Sequence, residues 1–291
     1  MSKKRLLMKN LLFLLLLLMG GVMASCHRHQ ANTGDLQTAQ ATTDLTAHLF
    51  DDNSKPACHV LIDLAYIAES NDVRMKDSLN RILVQQAFGE SYSQLPPEAA
   101  MEKYTSDYVN KYRKDLEPVF EEDEQENEGF MESWYSYEKS VESFVERYEK
   151  NLLTYAVKKE DYTGGPHGIH QIFYTNIDLR TMKVIKLKDL LKPNYELSEN
   201  ELMTKLYGQL QKDYASLADS DEKMYELGFT YNESGDIPLT ENFAIRKEGI
   251  EFTYNVYEIA VYALGTISIT LPYEEIKPWL DLTNPIIKEQ L

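Results

Sequence analysis

The order of its predicted elements makes this 291-residue chain an α+β protein, in which helices pack on one face of a largely antiparallel sheet. Three observations predict this class. Two segments with helical periodicity follow an early strand, alternating apolar segments flank a glycine-rich loop in mid-chain, and further alternating segments lie near the end. A sheet built from such strands buries one face against the helices.

The first 25 residues are predicted to be a cleaved signal peptide outside the fold. Basic residues precede an apolar run at residues 11–19, which is shorter than the roughly 20 residues that span a bilayer. Met23-Ala24-Ser25-Cys26 resembles a bacterial lipobox, in which Cys26 becomes the lipidated first residue. Ordinary signal cleavage nearby, with Cys26 incidental, is the alternative. Residues 26–44 are polar and predict a lipidated tether.

The charge of the chain limits its partners. The first 25 residues hold four of the 30 Lys and Arg and none of the 47 Asp and Glu, so the mature chain carries 26 basic side chains and a formal charge of −21. Such a surface repels nucleic acids and attracts a strongly basic protein. A solvated acidic surface is the alternative. Cys58 lacks a predicted disulfide partner and is expected to be a small buried hydrophobe.

The first half of the fold is predicted as one strand and two helices. Residues 59–67 alternate as a strand, and Met75, Leu79 and Leu83 form one stripe of a helix that Ser70 or Asn71 caps. Pro96-Pro97 opens a longer helix. Its tyrosine stripe predicts a ridge facing the core, and the acidic residues 121–128 predict a solvated loop.

Residues 134–152 fit two patterns. Helical periodicity fits them closely and alone favours a helix, whereas their aromatic and β-branched residues also tolerate strand alternation. Strands follow at residues 153–157 and 172–178, on the two sides of the glycine loop. A turn at residues 180–183 and a helical turn at residues 187–191 come next.

The last part of the chain is predicted as a helix followed by strands. Ser198 and Glu201 form a capping box that starts this helix. Residues 242–245 and 250–254 form a hairpin, residues 266–271 a third strand, and residues 273–280 a short helix.

The glycine loop is the first candidate site, and it contains Tyr162, Gly164, Gly165, His167 and Gly168. Its glycines permit a tight turn with positive φ. His167 has the chemistry of a general base or a metal ligand, but we expect a structural histidine that bonds to a loop carbonyl and locks the turn. No nucleophile motif or zinc-ligand spacing accompanies it, so we predict no catalytic residue, metal or cofactor.

A tyrosine cluster is the second candidate site. Tyr254, Tyr257 and Tyr262 lie on an irregular segment between two predicted strands. Tyrosines in this setting suit stacking on sugars or packing against a protein partner. The alternative is that they fill the core beneath the segment.

Two stretches resemble a known family. The first is Tyr162-x-Gly164-Gly165-x-His167-Gly168 with Tyr174-x-Asn176-x-Asp178-Leu179, and the second is Asn242-Phe243 with Tyr254-Asn255-x-Tyr257-Glu258-Ile259-Ala260. Together they resemble the paired extracytoplasmic modules of the lysozyme-sensing anti-sigma factor RsiV and the peptidoglycan deacetylase PdaC. The resemblance implies that residues 135–148 form a strand. It also implies a PdaC-like module at residues 45–165, an RsiV-like module at 166–282 and a tail at 283–291.

The resemblance also implies a function. We expect a non-catalytic envelope lipoprotein that binds a protein or glycan ligand, with a basic lysozyme-type muramidase or peptidoglycan as the ligand class. The alternative is a cell-wall or carbohydrate-active hydrolase that uses His167 as acid or base. A structural protein bound to another lipoprotein is a third hypothesis. The residues after Cys26 lack the early acidic cluster that is associated with export of lipoproteins to the cell surface. We therefore expect a lipid anchor in the outer membrane facing the periplasm.

Overall fold

The computed structural model describes residues 36–126, 132–193, 195–218, 220–230 and 237–291. These residues form a six-stranded sheet, a three-stranded sheet and several helices. The predicted α+β class with a largely antiparallel sheet is therefore confirmed. The predicted signal peptide, Cys26 and the first part of the predicted tether lie outside the described residues.

The larger sheet has the strand order β1-β2-β3-β4-β5-β6. Its neighbouring strands are antiparallel except for β2 and β3, which run parallel. The parallel pair follows from the two helices between β2 and β3, because they carry the chain back to the end at which β2 began. The strands are β1 (Leu36–His48), β2 (Ala57–Ser70), β3 (Tyr137–Glu149), β4 (Leu152–Thr163), β5 (Ile169–Asp178) and β6 (Lys183–Val184).

The smaller sheet is an antiparallel meander of β7 (Phe243–Ile245), β8 (Gly249–Tyr254) and β9 (Ile267–Pro272). The α-helices, numbered in chain order, are α1 (Val73–Phe88), α2 (Pro97–Glu126), α3 (Leu187–Leu190), α4 (Tyr195–Asp213), α5 (Asp221–Glu226), α6 (Tyr273–Ile276) and α7 (Pro285–Gln290). Asp72 begins α1, because its carboxylate accepts hydrogen bonds from the backbone N–H groups of Arg74 and Met75.

Helices α1 and α2 pack on one face of the larger sheet and bury the first hydrophobic core. Alternate residues of β2, including Val60, Ile62 and Leu64, are buried in this core, as strand periodicity requires. The tyrosine stripe of α2 faces the same core, and Tyr112 is buried there. Cys58 is also buried and free, which confirms its prediction.

The second core lies between the smaller sheet and the helices around it. Leu202, Leu206 and Leu210 of α4 are buried in it at helical spacing. They pack with apolar side chains of β8, β9 and α7. The described residues therefore form two cores, one on each sheet.

Asn176 of β5 joins the two sheets from a buried position. Its Nδ2 donates to the carbonyl oxygen of Phe243 (2.7 Å), and its Oδ1 accepts from the backbone N–H of Ile245 (3.0 Å). The hydroxyl of Thr154 donates to the same Oδ1. One side chain thus pairs β5 with β7 where no strand ladder connects the two sheets.

Asn242 and Asn255 continue this connection along the outer edge of β5. Asn242 accepts from the N–H of Tyr174 and donates to the carbonyl of Ile172 (both 2.8 Å). Asn255 accepts from the N–H of Ile172 and donates to its carbonyl. We call Asn176, Asn242 and Asn255 the asparagine seam. Their side-chain amides take the place of a neighbouring strand.

The structure corrects several sequence assignments in the first half of the chain. Residues 36–44, assigned to the tether, belong to β1, which pairs along its whole length with β2. The acidic residues 121–126, assigned to a loop, continue α2 to Glu126. The cap of α1 is Asp72, one or two residues after the predicted caps. Polar strands and charged helix ends both lack the apolar periodicity that the prediction used.

Further corrections concern the second half. Helix α4 begins at Tyr195, so the predicted capping residue Ser198 lies inside it. The predicted module boundary at residue 165 lies in the turn of the β4–β5 hairpin, whereas the residues of the second core, apart from Leu152, come after residue 183. The boundary between the two modules therefore stays a prediction. Residues 283–291, predicted to be a tail, contain α7 with Ile286 and Ile287 buried.

Residues 137–149 form β3, so the strand implied by the resemblance is right and the helical periodicity misleads. Every residue of this strand except Glu146, where the register shifts, has a partner on β4, and the first half also pairs with β2. No helix in the described part of the chain is long and apolar enough to cross a membrane.

Candidate functional site

The glycine loop is the turn between β4 and β5. Gly164 adopts φ +79, and a Cβ atom there would lie 1.9 Å from the carbonyl oxygen of Trp134. Glycine is therefore required at this position for two reasons, backbone conformation and space. Among the described residues of the loop, Gly165 and Gly168 do not adopt positive φ. The expectation that adjacent glycines share this role is thus wrong for Gly165.

His167 points its imidazole away from the loop. Its ring stacks on the ring of Tyr262, with centroids 3.9 Å apart and planes 20° from parallel. Its Nε2 lies 3.5 Å from the hydroxyl of Tyr257. The expected bond from His167 to a loop carbonyl does not occur; instead the hydroxyl of Tyr262 donates to the carbonyl of Gly168 (2.7 Å). Tyr262 therefore contacts the loop twice, through its ring at His167 and through its hydroxyl at Gly168.

The three predicted tyrosines occupy different environments. Tyr254 is buried, and its hydroxyl donates to the carbonyl of Pro238, so it fills the core. Tyr257 is 58% exposed and has φ +70, which is unusual for an aromatic residue. The ring centroids of Tyr257 and Tyr262 are 5.7 Å apart. We call His167, Tyr257 and Tyr262 the aromatic platform.

Exposed apolar side chains occur in the segments next to the aromatic platform. Trp134, whose backbone touches Gly164, is 51% exposed, and Ile169 and Val261 are also exposed. Tyr162, in contrast, is half-buried near the end of β4. Exposed aromatic rings beside apolar side chains are the usual composition of a binding surface. Trp134 was not predicted to belong to the site, although it is one of only two tryptophans in the chain.

The acidic residues near the loop do not contact His167. Asp161 forms an ion pair with Lys139 (2.7 Å) on the neighbouring strand. Glu160 lies 3.3 Å from His170, and both of these side chains are exposed. Within the described ranges, no group of His, Cys, Asp and Glu has the arrangement of a metal site. His167 therefore has tyrosine neighbours and no carboxylate that would orient it as a base.

A second polar group lies on the helix-facing side of the loop. Burial lowers the pKa of Lys159, and neighbouring Lys139 lowers it further. Burial also raises the pKa of Tyr104 on α2 to about 12, with a smaller contribution from Asp161. Asp161 thus pairs with Lys139 of β3 and also acts on the charge of Tyr104 on α2.

The fold and the site therefore define a class of protein. It is an α+β protein with two sheets, a glycine loop and an exposed aromatic platform. A family model described as "Protein of unknown function (DUF3298)" matches residues 188–274. A solved structure of a DUF3298 family member from Bacteroides fragilis is 41% identical in sequence, covers 89% of this chain and 98% of its own, and has a TM-score of 0.81. The chain belongs to the DUF3298 family.

A second solved structure shows the same fold at greater distance. This DUF3298 family protein from Pseudomonas aeruginosa is 17% identical, covers 84% of this chain and 94% of its own, and has a TM-score of 0.59. No curated protein matches the chain.

Proposed function

We propose that this protein is a non-catalytic lipoprotein of the cell envelope that binds a protein or glycan ligand at the aromatic platform. The observation that carries this proposal is the stacking of His167 on Tyr262 beside the exposed ring of Tyr257. Aromatic faces held rigidly at a surface suit stacking on sugar rings or packing against a protein. The RsiV-like and PdaC-like sequence motifs lead to the same ligand class, a lysozyme-type muramidase or peptidoglycan.

Charge favours the muramidase as a partner. A chain with a formal charge of −17, or −21 without its first 25 residues, attracts a basic protein and accelerates its association. The contacts of His167 favour binding over the alternative, a cell-wall hydrolase with this histidine as acid or base, because its neighbours are tyrosines. The lipid anchor at Cys26 and a location in the outer membrane facing the periplasm complete the proposal.

The test measures binding of purified residues 27–291 to lysozyme and to peptidoglycan fragments at low and high salt. Lysozyme binding is expected to weaken with salt, since exposed charges are screened. Of these two ligands, the one that binds at the aromatic platform is expected to bind Tyr257→Ala about tenfold more weakly, because this variant loses one aromatic anchor.

Tyr225→Ala is the matched control, because Tyr225 is 71% exposed and lies on α5, outside the aromatic platform. Equal binding by both variants, or no binding of either ligand at low salt, would reject the proposal. Cleavage of cell-wall fragments that disappears in His167→Ala would support the hydrolase instead.

A further inference from the structure

A second cleft lies on the larger sheet and is formed by different residues from those of the aromatic platform. Its volume is about 560 Å³, within the usual range for small-ligand sites. Residues 66–68 of β2 form its floor, α1 forms one wall, and residues 93–98 at the start of α2 form the other.

The cleft exists because β2 extends beyond the residues that pair with β3. That ladder ends at Asp63, so the edge of β2 beyond it has no neighbouring strand among the described residues. Ser143 accepts from the N–H of Ala65, and Asn80 both accepts from and donates to the backbone of Ile67 (2.8 Å each). Asn80 is buried, so α1 is held firmly against this edge and the cleft is preformed.

Charged side chains of both signs line the cleft. Lys76, Asp77 and Arg81 belong to the α1 wall, and Glu98 belongs to the opposite wall. In the part of the chain that the structure describes, no ion pair involves any of these four side chains. Lys76 is half-buried, so its charge is less screened by water than that of a fully exposed lysine.

The unpaired state of Asp77 and Arg81 contrasts with two pairs of the same spacing on α2. Asp77 and Arg81 are four residues apart on α1, the spacing at which helical ion pairs form. On α2, Lys103 pairs with Asp107, and Lys111 pairs with Asp115 at the same spacing. The side chains of the cleft are instead available to a ligand.

We propose that this cleft binds a small zwitterionic ligand of the amino acid or short-peptide class. Lys76 and Arg81 hold the carboxylate of the ligand, and Glu98 holds its ammonium group. A simple anion would meet Asp77, Glu98 and the negative field of the whole chain, whereas a simple cation would meet Lys76 and Arg81. A zwitterion places a charge of opposite sign against each wall and has no net charge itself. Arginine also binds carboxylates in bidentate geometry.

The experiment titrates the purified protein with the dipeptide Ala-Ala, its N-acetyl form and its C-terminal amide, using calorimetry or NMR shifts. The free dipeptide is expected to bind, and either blocked form is expected to bind about two- to fivefold more weakly, the effect of one lost ion pair. Arg81→Gln should weaken the free dipeptide by a similar factor. Glu98→Gln should weaken the free dipeptide but leave the N-acetyl form unchanged.

Arg74→Gln is the control, since Arg74 is an exposed cation on the same helix that does not line the cleft. Each of the following would overturn the proposal: no binding of Ala-Ala up to about 10 mM, equal binding of the three peptides, or equal weakening by Arg74→Gln. Lysozyme binding should be unchanged in Arg81→Gln, and Ala-Ala binding should be unchanged in Tyr257→Ala, so the cleft and the aromatic platform are tested separately.

Discussion

Asn176→Ala is expected to be among the most destabilising single substitutions in this chain. The side chain of Asn176 is 2% exposed and makes three hydrogen bonds, to Phe243, Ile245 and Thr154. Each bond contributes about 1 kcal/mol net, and a buried group left unpaired costs about 1–3 kcal/mol. Since alanine leaves three partners unpaired, we expect a loss of about 3–5 kcal/mol in the free energy of unfolding.

The assay is urea unfolding followed by circular dichroism, with thermal melting as a second measurement. At about 2–4 °C per kcal/mol, the melting temperature should fall by roughly 10 °C. Asn110→Ala is the matched control, because Asn110 is exposed on α2 and makes one bond of 3.4 Å; its effect should stay within about 0.5 kcal/mol. A loss below about 1 kcal/mol in Asn176→Ala would refute the reasoning, since it would mean that water replaces the three bonds.

Three further outcomes are expected. Gly164→Ala should destabilise the protein more than Gly265→Ala in urea unfolding, because both positions have positive φ but only Gly164 lacks space for a Cβ atom; equal losses would contradict this. The raised pKa of Tyr104, about 12, means that its contribution to stability is present below about pH 10, the unfolded value, and is lost as pH rises towards 12. Urea unfolding and phenolate absorbance across this range check it, and a phenol that titrates normally at pH 10 would contradict it. Phe120→Ala should cost about 3–5 kcal/mol in urea unfolding, because Phe120 is fully buried and packs edge-on against Tyr135; a loss below about 1 kcal/mol would indicate that the α2 end is not packed as described.

Most of the fold could be predicted from the sequence, because most elements bury a periodic apolar face. The exceptions have specific causes. Strand β1 buries Leu36, Ala41 and Ala47 but presents Thr and Gln elsewhere, so its alternation is weak. The sequence of β3 also fits a helical period, because buried and exposed residues do not alternate strictly along the strand. Only the resemblance favoured a strand. Local pattern is overridden here by pairing with strands that are distant in sequence.

The candidate site could be predicted only in part. The glycine loop and the tyrosines were identified as separate features, and the sequence gives no indication that His167 stacks on Tyr262, since 95 residues separate them. The cleft on β2 left no sequence signal, because Lys76 and Arg81 occupy the polar face of a helix. These two side chains are candidates for ligand binding because they form no ion pair with the described residues, and only the structure shows this.

The segment Tyr254-Asn255-Val256-Tyr257-Glu258 has a structural part and a part that the fold does not explain. Tyr254 fills the core, Asn255 binds β5, and the carboxylate of Glu258 accepts from the N–H of Asn255 (2.9 Å). Tyr257 is exposed at φ +70, a conformation that costs an aromatic residue about 1 kcal/mol and that glycine or asparagine adopts more readily. The fold therefore accounts for Tyr254, Asn255 and Glu258 but not for the exposed ring of Tyr257, and stacking on the proposed ligand is the role that we propose for this ring.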